Sequence, residues 1–347
     1  MKKMIVILSK RIVMKKATNQ KKHCFDIVFE WENILAENLN CNVICRSNFE
    51  FKFDEYCRKL YKIIPIPFYR LYDIFSFSKK RKVLMFDAST KQQDGIYNNS
   101  KYIPCLVDYF LSEKNYPNFL RAYKNNLLVL VSSREVYEYL VNKGCPINIA
   151  HFPLSLADQY LTNEVYQKEY DLIIAGRTNP LLLKYVEKYE KDYPDTKIIR
   201  RKYVDGHFWY YISSTGEKVS RGDSREEYIN LLRKSKIALY TTPGIDGTRP
   251  DANGWNQVTP RFLEEMAAQC HIIARYPDNA DTRWYEIDKI CTSVQSYEQF
   301  KDLMCRYKDE MVDFFKYREY LSKHVTSKRG KMLKDILERN IVKVGGG

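Results

Sequence analysis

The residues best suited to chemistry stand at one predicted helix start, Thr259-Pro260-Arg261 followed by Glu264. Threonine before proline is typical of a helix N-terminus, where free N–H groups and the positive dipole end favour an anion. Arg261 adds a full positive charge, so a diphosphate suits this position. Glu264 follows one turn later, where its carboxylate could accept both hydroxyls of a ribose. The alternative is an ordinary helix whose Glu264 and Glu265 are merely solvated.

Two further stretches could contact a ligand. Gly176-Arg177 directly follows the apolar run Asp171–Ala175. Glycine lets the backbone approach a ligand closely, and arginine offers a forked donor for phosphate. The loop Thr241–Gly254 carries three glycines within eleven residues. It matches neither a G-x-G-x-x-G nor a Walker loop, so a ligand-contacting loop and a plain surface loop both remain open.

The elements that must position these residues alternate between short apolar runs and amphipathic stretches. Phe25–Leu39 has apolar residues at helical spacing, and Ser224 with Glu227 forms a capping box before another helix. The alternation predicts an α/β fold of two tandem Rossmann-like domains. The predicted strands are Met4–Leu8, Val43–Cys45, Val83–Phe86, Ile103–Val107, Leu127–Val131, Asp171–Ala175, Lys197–Ile199, Ile237–Tyr240 and His271–Ala274.

The domain organisation follows from the length and from one interruption of the pattern. At 347 residues two domains are expected, and Pro153 interrupts the alternation near Ile149–Asp158. We therefore expect domains over 1–155 and 156–320. Because ligands bind beyond the carboxyl ends of parallel strands, the two domains should face a cleft. Arg200–Gly222 does not fit the alternation and is predicted to form a hairpin or a long loop.

Several stretches of the sequence resemble parts of one enzyme family. Phe262–Ala274 resembles the donor-domain signature of group 1 glycosyltransferases with the GT-B fold. Asp171–Arg177 resembles the strand and Gly-Arg loop of that family. Val129–Ser132 and Ile149–Leu154 resemble the end of its first domain and the linker that follows. The order and spacing of these pieces point to one family over roughly residues 127–275.

The resemblance implies a donor site built from five residues. Glu264 falls on the glutamate that binds the nucleotide ribose in that family, and Arg177 on the arginine that contacts the donor diphosphate. Gly176, Thr259 and Arg261 would complete the donor site.

The resemblance also implies an activity and an arrangement. The activity is transfer of a sugar from a nucleotide-diphosphate sugar to a glycan or lipid-linked acceptor, in cell-surface polysaccharide synthesis. A C-terminal helix and tail, 321–347, would return to the first domain in a GT-B-like arrangement. No cofactor is expected beyond the donor substrate, and no metal, since the nine cysteines are scattered without any C-x-x-C.

This sequence departs from the family pattern at four positions. Asn256 stands where the family often has the first of two glutamates, and Gln269 and His271 replace a glycine and a proline. Lys184, seven residues beyond Arg177, is out of register with the family's lysine. Retention and inversion of the sugar configuration therefore both remain open.

Three residues are candidates for a catalytic base. An inverting transferase needs a carboxylate or histidine in the first domain, near the cleft. Asp87 and Asp108 directly follow predicted strands, and His23 is the third candidate. A structural role such as helix capping is the alternative for each.

The charge distribution points to a polyanionic partner. The formal net charge is +14, and it divides into +11 over 1–155, −2 over 156–305 and +5 over 306–347. Aromatic rings interleave with eight basic residues in Arg58–Lys82, which suits an anionic membrane surface. No apolar run reaches the ~20 residues of a membrane span, so we expect a cytoplasmic protein, peripheral at the inner face of the membrane.

Two other functions remain possible on the sequence alone. They are a basic nucleic-acid-binding protein and a membrane-surface protein on an inactive transferase fold. No helix-turn-helix, zinc finger or RNP motif supports the first, so no nucleic-acid partner is expected.

Overall fold

The chain forms two compact units in a computed structural model. The first unit contains the described residues up to Leu154 and those from Thr326 onward, and the second contains Ser155–Val325. The structure describes residues 5–11, 26–45, 81–87, 97–108 and 110–341, together with positions 47, 49, 52, 53, 56, 59, 60 and 63.

The first unit is built on a six-stranded parallel sheet of order β2-β1-β3-β4-β5-β6. Most of its strands are buried on both faces, which explains why they read as continuous apolar runs. Its elements are β1 (Ile5–Ser9), α1 (Asp26–Leu39), β2 (Asn42–Cys45), β3 (Lys82–Asp87), β4 (Tyr102–Leu106), α2 (Tyr116–Tyr123), β5 (Val129–Val131), α3 (Arg134–Asn142) and β6 (Ile149–His151).

The helices of the first unit begin and end where local chemistry directs. The Val136 amide donates to the Ser133 side chain at 3.2 Å, which caps the start of α3. Gly144 follows the helix with a φ of 63°, a left-handed value that glycine adopts without strain. Trp31 and Leu35 lie on the buried face of α1 and join the core beneath the sheet.

The second unit contains a sheet of order β10-β9-β8-β7-β11-β12. Four neighbouring strands, β8, β7, β11 and β12, run parallel. Its elements are β7 (Tyr170–Ile173), α4 (Pro180–Asp192), β8 (Ile198–Val204), β9 (His207–Ile212), β10 (Lys218–Arg221), α5 (Arg225–Arg233), β11 (Ser235–Thr241), α6 (Pro260–Ala267), β12 (His271–Arg275), α7 (Ala280–Trp284), α8 (Tyr297–Asp309) and α9 (Phe314–Ser322).

The segment that broke the alternation is an antiparallel extension of this second sheet. β8 and β9 pair up to Val204 opposite His207, and the two residues between them, Asp205 and Gly206, both have positive φ. This is the geometry of a two-residue type I′ turn, for which Asp-Gly is a favoured sequence. The hairpin alternative for this segment is thus confirmed, and β10 adds a third strand.

The chain returns to the first unit through α10 (Thr326–Ile341). Leu333 and Leu337 are fully buried in the same core as Trp31. The backbone of Gly330 lies so close to Asn38 on α1 that a Cβ would fall 2.7 Å from the Asn38 side-chain carbon. Glycine at this position lets the two helices approach closely.

The predicted elements and fold class agree with this architecture. The two α/β domains that the alternation predicted are present as two sheets of six strands each, and β6, β9 and β10 add to the nine predicted strands. The capping box at the start of α5 is formed, because the Ser224 side chain accepts from the Glu227 amide while Glu227 reaches back to the Ser224 amide. Within the described residues, no helix has both the length and the apolar character needed to cross a bilayer.

Candidate functional site

Arg261 on α6 joins two strand ends of the second unit. Its Nη1 donates to the backbone oxygen of Arg177 at 2.9 Å, and its Nη2 donates to that of Thr241 at 3.4 Å. A Cβ on Gly176 would lie only 2.5 Å from Nη1, so a larger residue here would displace the Arg261 guanidinium. The structure therefore brings Gly176, Arg177 and Arg261 together at the carboxyl ends of β7 and β11.

The start of α6 offers fewer amides than its sequence suggested. Thr259 occupies the N-cap position with an extended backbone, but its side chain makes no capping hydrogen bond. Its amide donates to the Tyr240 hydroxyl at 3.0 Å, and Pro260 has no amide to offer. The positive potential here comes from the Arg261 guanidinium together with the helix dipole.

Glu264 is buried and held by two partners. Its Oε1 lies 2.7 Å from Arg225 Nη2, and its Oε2 accepts a hydrogen bond from the Tyr228 hydroxyl at 3.0 Å. The Arg225 guanidinium also lies over the Tyr160 ring, 5.1 Å from its centroid. An ionised carboxylate has about four lone-pair sites, so it can accept further hydroxyl groups while held in this way. The alternative of a merely solvated Glu264 is wrong.

Glu265 is completely buried and receives no hydrogen bond from the described residues. Its closest charged partner among the described residues is Arg261, whose Nε lies 3.6 Å from Oε1. Burial, opposed by the Arg261 charge and reinforced by the neighbouring Glu264 charge, raises the pKa of Glu265 to about 8. At neutral pH this side chain is therefore mostly protonated, which lets it lie next to a second carboxylate.

The glycine-rich loop after β11 folds closely on itself and is held by hydrogen bonds within the loop. A Cβ on Gly244 would lie 2.5 Å from the Gly254 carbonyl carbon. Asn256 accepts from the Thr242 hydroxyl at 2.8 Å and donates to the Gly254 carbonyl at 2.7 Å. The residue in place of the family's first glutamate is therefore a structural amide that fixes the loop.

The two other family departures near α6 also have structural reasons. Gln269 has a φ of 58°, the left-handed conformation in which the family places glycine. Its side chain donates to the Glu164 carbonyl at 2.6 Å, a contact that glycine could not make. His271 stacks on Tyr307 with ring centroids 4.1 Å apart and bonds through Nε2 to the Glu310 carbonyl oxygen at 3.0 Å.

Two of the three candidate bases lie at the carboxyl ends of neighbouring strands in the first sheet. Asp87 is the last residue of β3, and its carboxylate pairs with Lys10 at 3.3 Å. Asp108 lies two residues beyond the neighbouring strand β4, with a φ of 52°. His23 lies outside the described residues.

A buried histidine that the sequence did not single out also lies at the carboxyl end of a strand. His151 ends β6 with 6% of its surface exposed, and burial lowers its pKa to about 3, aided by the charges of Arg134 and Arg329. It is therefore neutral at physiological pH. Its position at the end of the strand Ile149–His151 is the sequence signal that marks it, although this stretch also resembles a linker.

Arg225 and Tyr228 are further residues that sequence reasoning missed. They lie on α5, more than thirty residues before Glu264. Their spacing of three residues places them on one face of that helix, but nothing in the sequence connects them with Glu264. In the described part of the chain, no group of three or more His, Cys, Asp or Glu side chains is arranged to hold a metal ion.

Comparison with known proteins identifies the fold. No protein-family profile and no curated protein sequence matches this chain. A crystal structure of UDP-N-acetylglucosamine 2-epimerase matches with a TM-score of 0.50 and 11% identity, over 97% of this chain and 95% of that one. The DNA-modifying enzyme β-glucosyltransferase, with substrate uridine diphosphoglucose, matches with a TM-score of 0.50 and 14% identity, over 97% and 99%. The chain has a GT-B-like fold. The fold class expected from the resemblance is thereby confirmed.

Proposed function

We propose that this chain is a glycosyltransferase that uses a nucleotide-diphosphate sugar. The observation that carries the proposal is the cluster of Gly176, Arg177 and Arg261 at the carboxyl ends of β7 and β11, beside the start of α6. This edge of a parallel sheet is where ligands bind in such folds. The acceptor would be a glycan or a lipid-linked glycan in cell-surface polysaccharide synthesis.

The donor site would divide the nucleotide sugar between charge and hydrogen bonding. The Arg177 and Arg261 guanidinium groups and the helix dipole would stabilise the diphosphate as it leaves, so the proposal calls for no metal. Glu264, fixed by Arg225 and Tyr228, would accept the ribose hydroxyls. A carboxylate fixed before the ligand arrives loses little conformational entropy on binding.

The acceptor would be activated by a base from the first unit. Asp87, Asp108 and His23 remain the proposed candidates, because a general base must lie within hydrogen-bond reach of the acceptor hydroxyl. Of these, Asp87 forms an ion pair with Lys10 at 3.3 Å. We also propose an anionic membrane surface as a partner at the cytoplasmic face, given the basic first 155 residues, and no nucleic-acid partner.

Epimerisation of a nucleotide sugar is a second candidate function. The structural likeness to UDP-N-acetylglucosamine 2-epimerase has the same TM-score as the likeness to the glucosyltransferase. Both reactions could use a cluster that stabilises a departing nucleotide diphosphate. The products separate them, because a transferase releases the nucleotide with a new glycoside, whereas an epimerase returns an altered sugar.

The test is a screen of nucleotide sugars by nucleotide release, with the sugar products separated and identified. Binding is followed in parallel as a thermal shift. Glu264→Ala should weaken donor binding by at least tenfold, since each lost hydrogen bond to a charged acceptor costs about 1.5–3 kcal/mol. Glu319→Ala on α9, 76% exposed at its side chain, is the control and should bind as the unmodified protein does.

Two results would contradict the donor-site proposal. One is unchanged donor affinity in a Glu264→Ala protein whose circular dichroism matches that of the unmodified chain. The other is a complete absence of thermal shift with every nucleotide sugar, which would favour a membrane-surface or nucleic-acid-binding protein on an inactive transferase fold.

A further inference from the structure

The antiparallel extension formed by β8, β9 and β10 turns one face toward α5 and a second face away from it. Tyr210 of β9 is fully buried in the core that contains Tyr228 of α5. Because side chains alternate between the two faces of a strand, Trp209 and Tyr211 lie on the second face, where both are half-buried. The packing of α5 therefore does not explain these two rings.

Basic side chains surround Trp209 on this second face. Opposite residues of antiparallel strands share a face, and both Lys202 of β8 and Arg221 of β10 pair with Trp209. The Lys218 Nζ lies 4.5 Å and the Arg221 Cζ 5.7 Å from the centroid of the Trp209 ring. The second face thus combines a flat aromatic surface with positive charge.

Four of the five lysines and arginines of these strands lie on this face, and two of the four have no carboxylate partner in the described part of the chain. Arg200 pairs with a glutamate of α4 at 2.9 Å, and Arg221 pairs with Asp223 at 2.7 Å. Lys202 and Lys218 are exposed and form no ion pair with any described residue. A lysine has a flexible stem, so each ammonium can move to meet an anionic group beside the ring.

The extension begins at the end of the sheet that carries the proposed donor site. β8 pairs with β7 only at Ile198 and Ile199, and its last five residues run on in the same direction. The carboxyl end of β7 leads into Gly176 and Arg177. A chain that lies on the extension would therefore be at the donor end of the sheet.

We propose that this face binds an acidic glycan, with a sugar ring stacked on Trp209 and its anionic group held by Lys202 and Lys218. One side of a pyranose ring is flat and apolar and packs well on an indole, while anionic substituents lie at its rim. The inference rests on the proposed glycan acceptor and names its class, an acceptor that carries negative charge. Binding itself requires no sugar transfer.

Charge and exposure select a glycan over other partners. Residues 198–221 carry a net charge of +3, whereas 156–305 as a whole carries −2, so basic charge is concentrated here. A single-stranded nucleic acid needs a run of cations that follows its phosphates, and only two cations of this described face lack a carboxylate partner. A bilayer needs protruding apolar side chains, but the rings on this face are half-buried. A second copy meeting the first through this face would bring like charges together.

The side of the same unit formed by α4 and α8 provides a matched control. Lys188 Nζ lies 3.9 Å from the centroid of the Tyr297 ring, and Lys301 Nζ lies 5.6 Å from that of Tyr193. The Tyr297 hydroxyl donates to Asp192 at 2.8 Å, so these lysines stand in an acidic setting. Replacing both by alanine removes the same charge, again from beside aromatic rings, as replacing the two unpaired lysines of the extension.

The experiment is titration calorimetry of the full chain with polygalacturonate, neutral dextran, polyglutamate and poly(dT), at low and high salt. Trp209→Ala should weaken binding of polygalacturonate about tenfold, and Trp209→Phe, which keeps a ring, should weaken it less. Lys202→Ala/Lys218→Ala should lose about tenfold at low salt, and the difference should shrink at high salt. Lys188→Ala/Lys301→Ala should bind as the unmodified chain does. Polyglutamate should bind more weakly and ignore Trp209→Ala, because it has no ring to stack.

Several outcomes would overturn the proposal. They are equal binding of dextran and polygalacturonate, unmodified binding by Trp209→Ala with unaltered circular dichroism, or an equal loss in the two double-lysine variants. Poly(dT) binding that exceeds polygalacturonate binding and is lost in the same variants would assign the face to a nucleic acid instead.

The thermal shift with nucleotide sugars is measured on every variant, so the donor site is tested separately. Polygalacturonate binding without any donor shift would refute the transferase and leave the glycan-binding face standing. A donor shift without polygalacturonate binding would refute the glycan-binding face alone.

Discussion

Replacing Glu265 by glutamine should make the stability of the protein less dependent on pH. The side chain is completely buried, and burial raises its pKa from 4.5 to about 8. The folded protein therefore holds a proton that the unfolded chain releases above pH 4.5. The contribution of the protonated group to stability is complete below pH 4.5 and is lost as the pH rises through about 8.

The size of the effect follows from the width of that window. Each pH unit between the two pKa values corresponds to about 1.4 kcal/mol, so the full loss is about 5 kcal/mol. Glutamine keeps the shape and stays neutral at every pH. The difference in unfolding free energy, Glu265→Gln minus wild type, should therefore rise by several kcal/mol from pH 4.5 to pH 8.

The assay is urea unfolding at a series of pH values, with Glu319→Gln as the control. That control removes a carboxylate that is 76% exposed, so its stability curve should run parallel to the wild-type curve. Parallel curves for Glu265→Gln as well would refute the reasoning, because they would show that the buried carboxyl holds no extra proton.

Three other substitutions test the Arg225–Glu264 pair, the neutral His151 and the Gly176–Arg261 contact. Arg225→Met should cost about 3–5 kcal/mol in urea unfolding, because Glu264 is left as an unpaired buried carboxylate; adding Glu264→Gln should recover part of the loss, and no recovery would contradict the pairing. The wild type should lose about 1.4 kcal/mol of unfolding free energy per pH unit as the pH falls from 6.5 toward 3, and His151→Gln should remove this loss. Identical acid-unfolding curves for the two proteins would contradict the low pKa of His151. Gly176→Ala should displace the Arg261 guanidinium and weaken donor binding about tenfold, whereas wild-type affinity would show that the contact is dispensable.

The sequence predicted most of the fold because its elements carry local signals. Buried strands appear as apolar runs whatever they pack against, and the capping box at Ser224 is complete within four residues. The Asp-Gly turn of the β8–β9 hairpin is equally local, yet the sequence left a hairpin and a long loop both open for Arg200–Gly222. Propensity alone does not show which strand a hairpin joins, and that pairing depends on the rest of the sheet.

The site was less predictable because its contacts join distant residues. The helix start predicts Arg261 as a donor-site residue. Its hydrogen bonds to the carbonyl oxygens of Arg177 and Thr241, however, depend on how β7 and β11 pair. The charge partner of Glu264 lies thirty-nine residues earlier, at the first position of α5. A glutamate pattern also cannot show that Glu265 is protonated, since the burial that causes this is a tertiary property.

The crossing of α10 back to the first unit has a consequence for the order in which the protein matures on the ribosome. Leu333 and Leu337 complete the core of the first unit, yet they are synthesised after the whole of Ser155–Val325. At about 5–20 residues per second, the ~170 intervening residues take roughly 10–35 s to emerge. Throughout that time the face of α1 that will receive α10 stays uncovered, whereas the Ser155–Val325 segment of the second unit is complete before α10 emerges. The N-terminal half of the chain is thus the last to be sealed, and a chaperone that binds exposed apolar helix faces would find its target there.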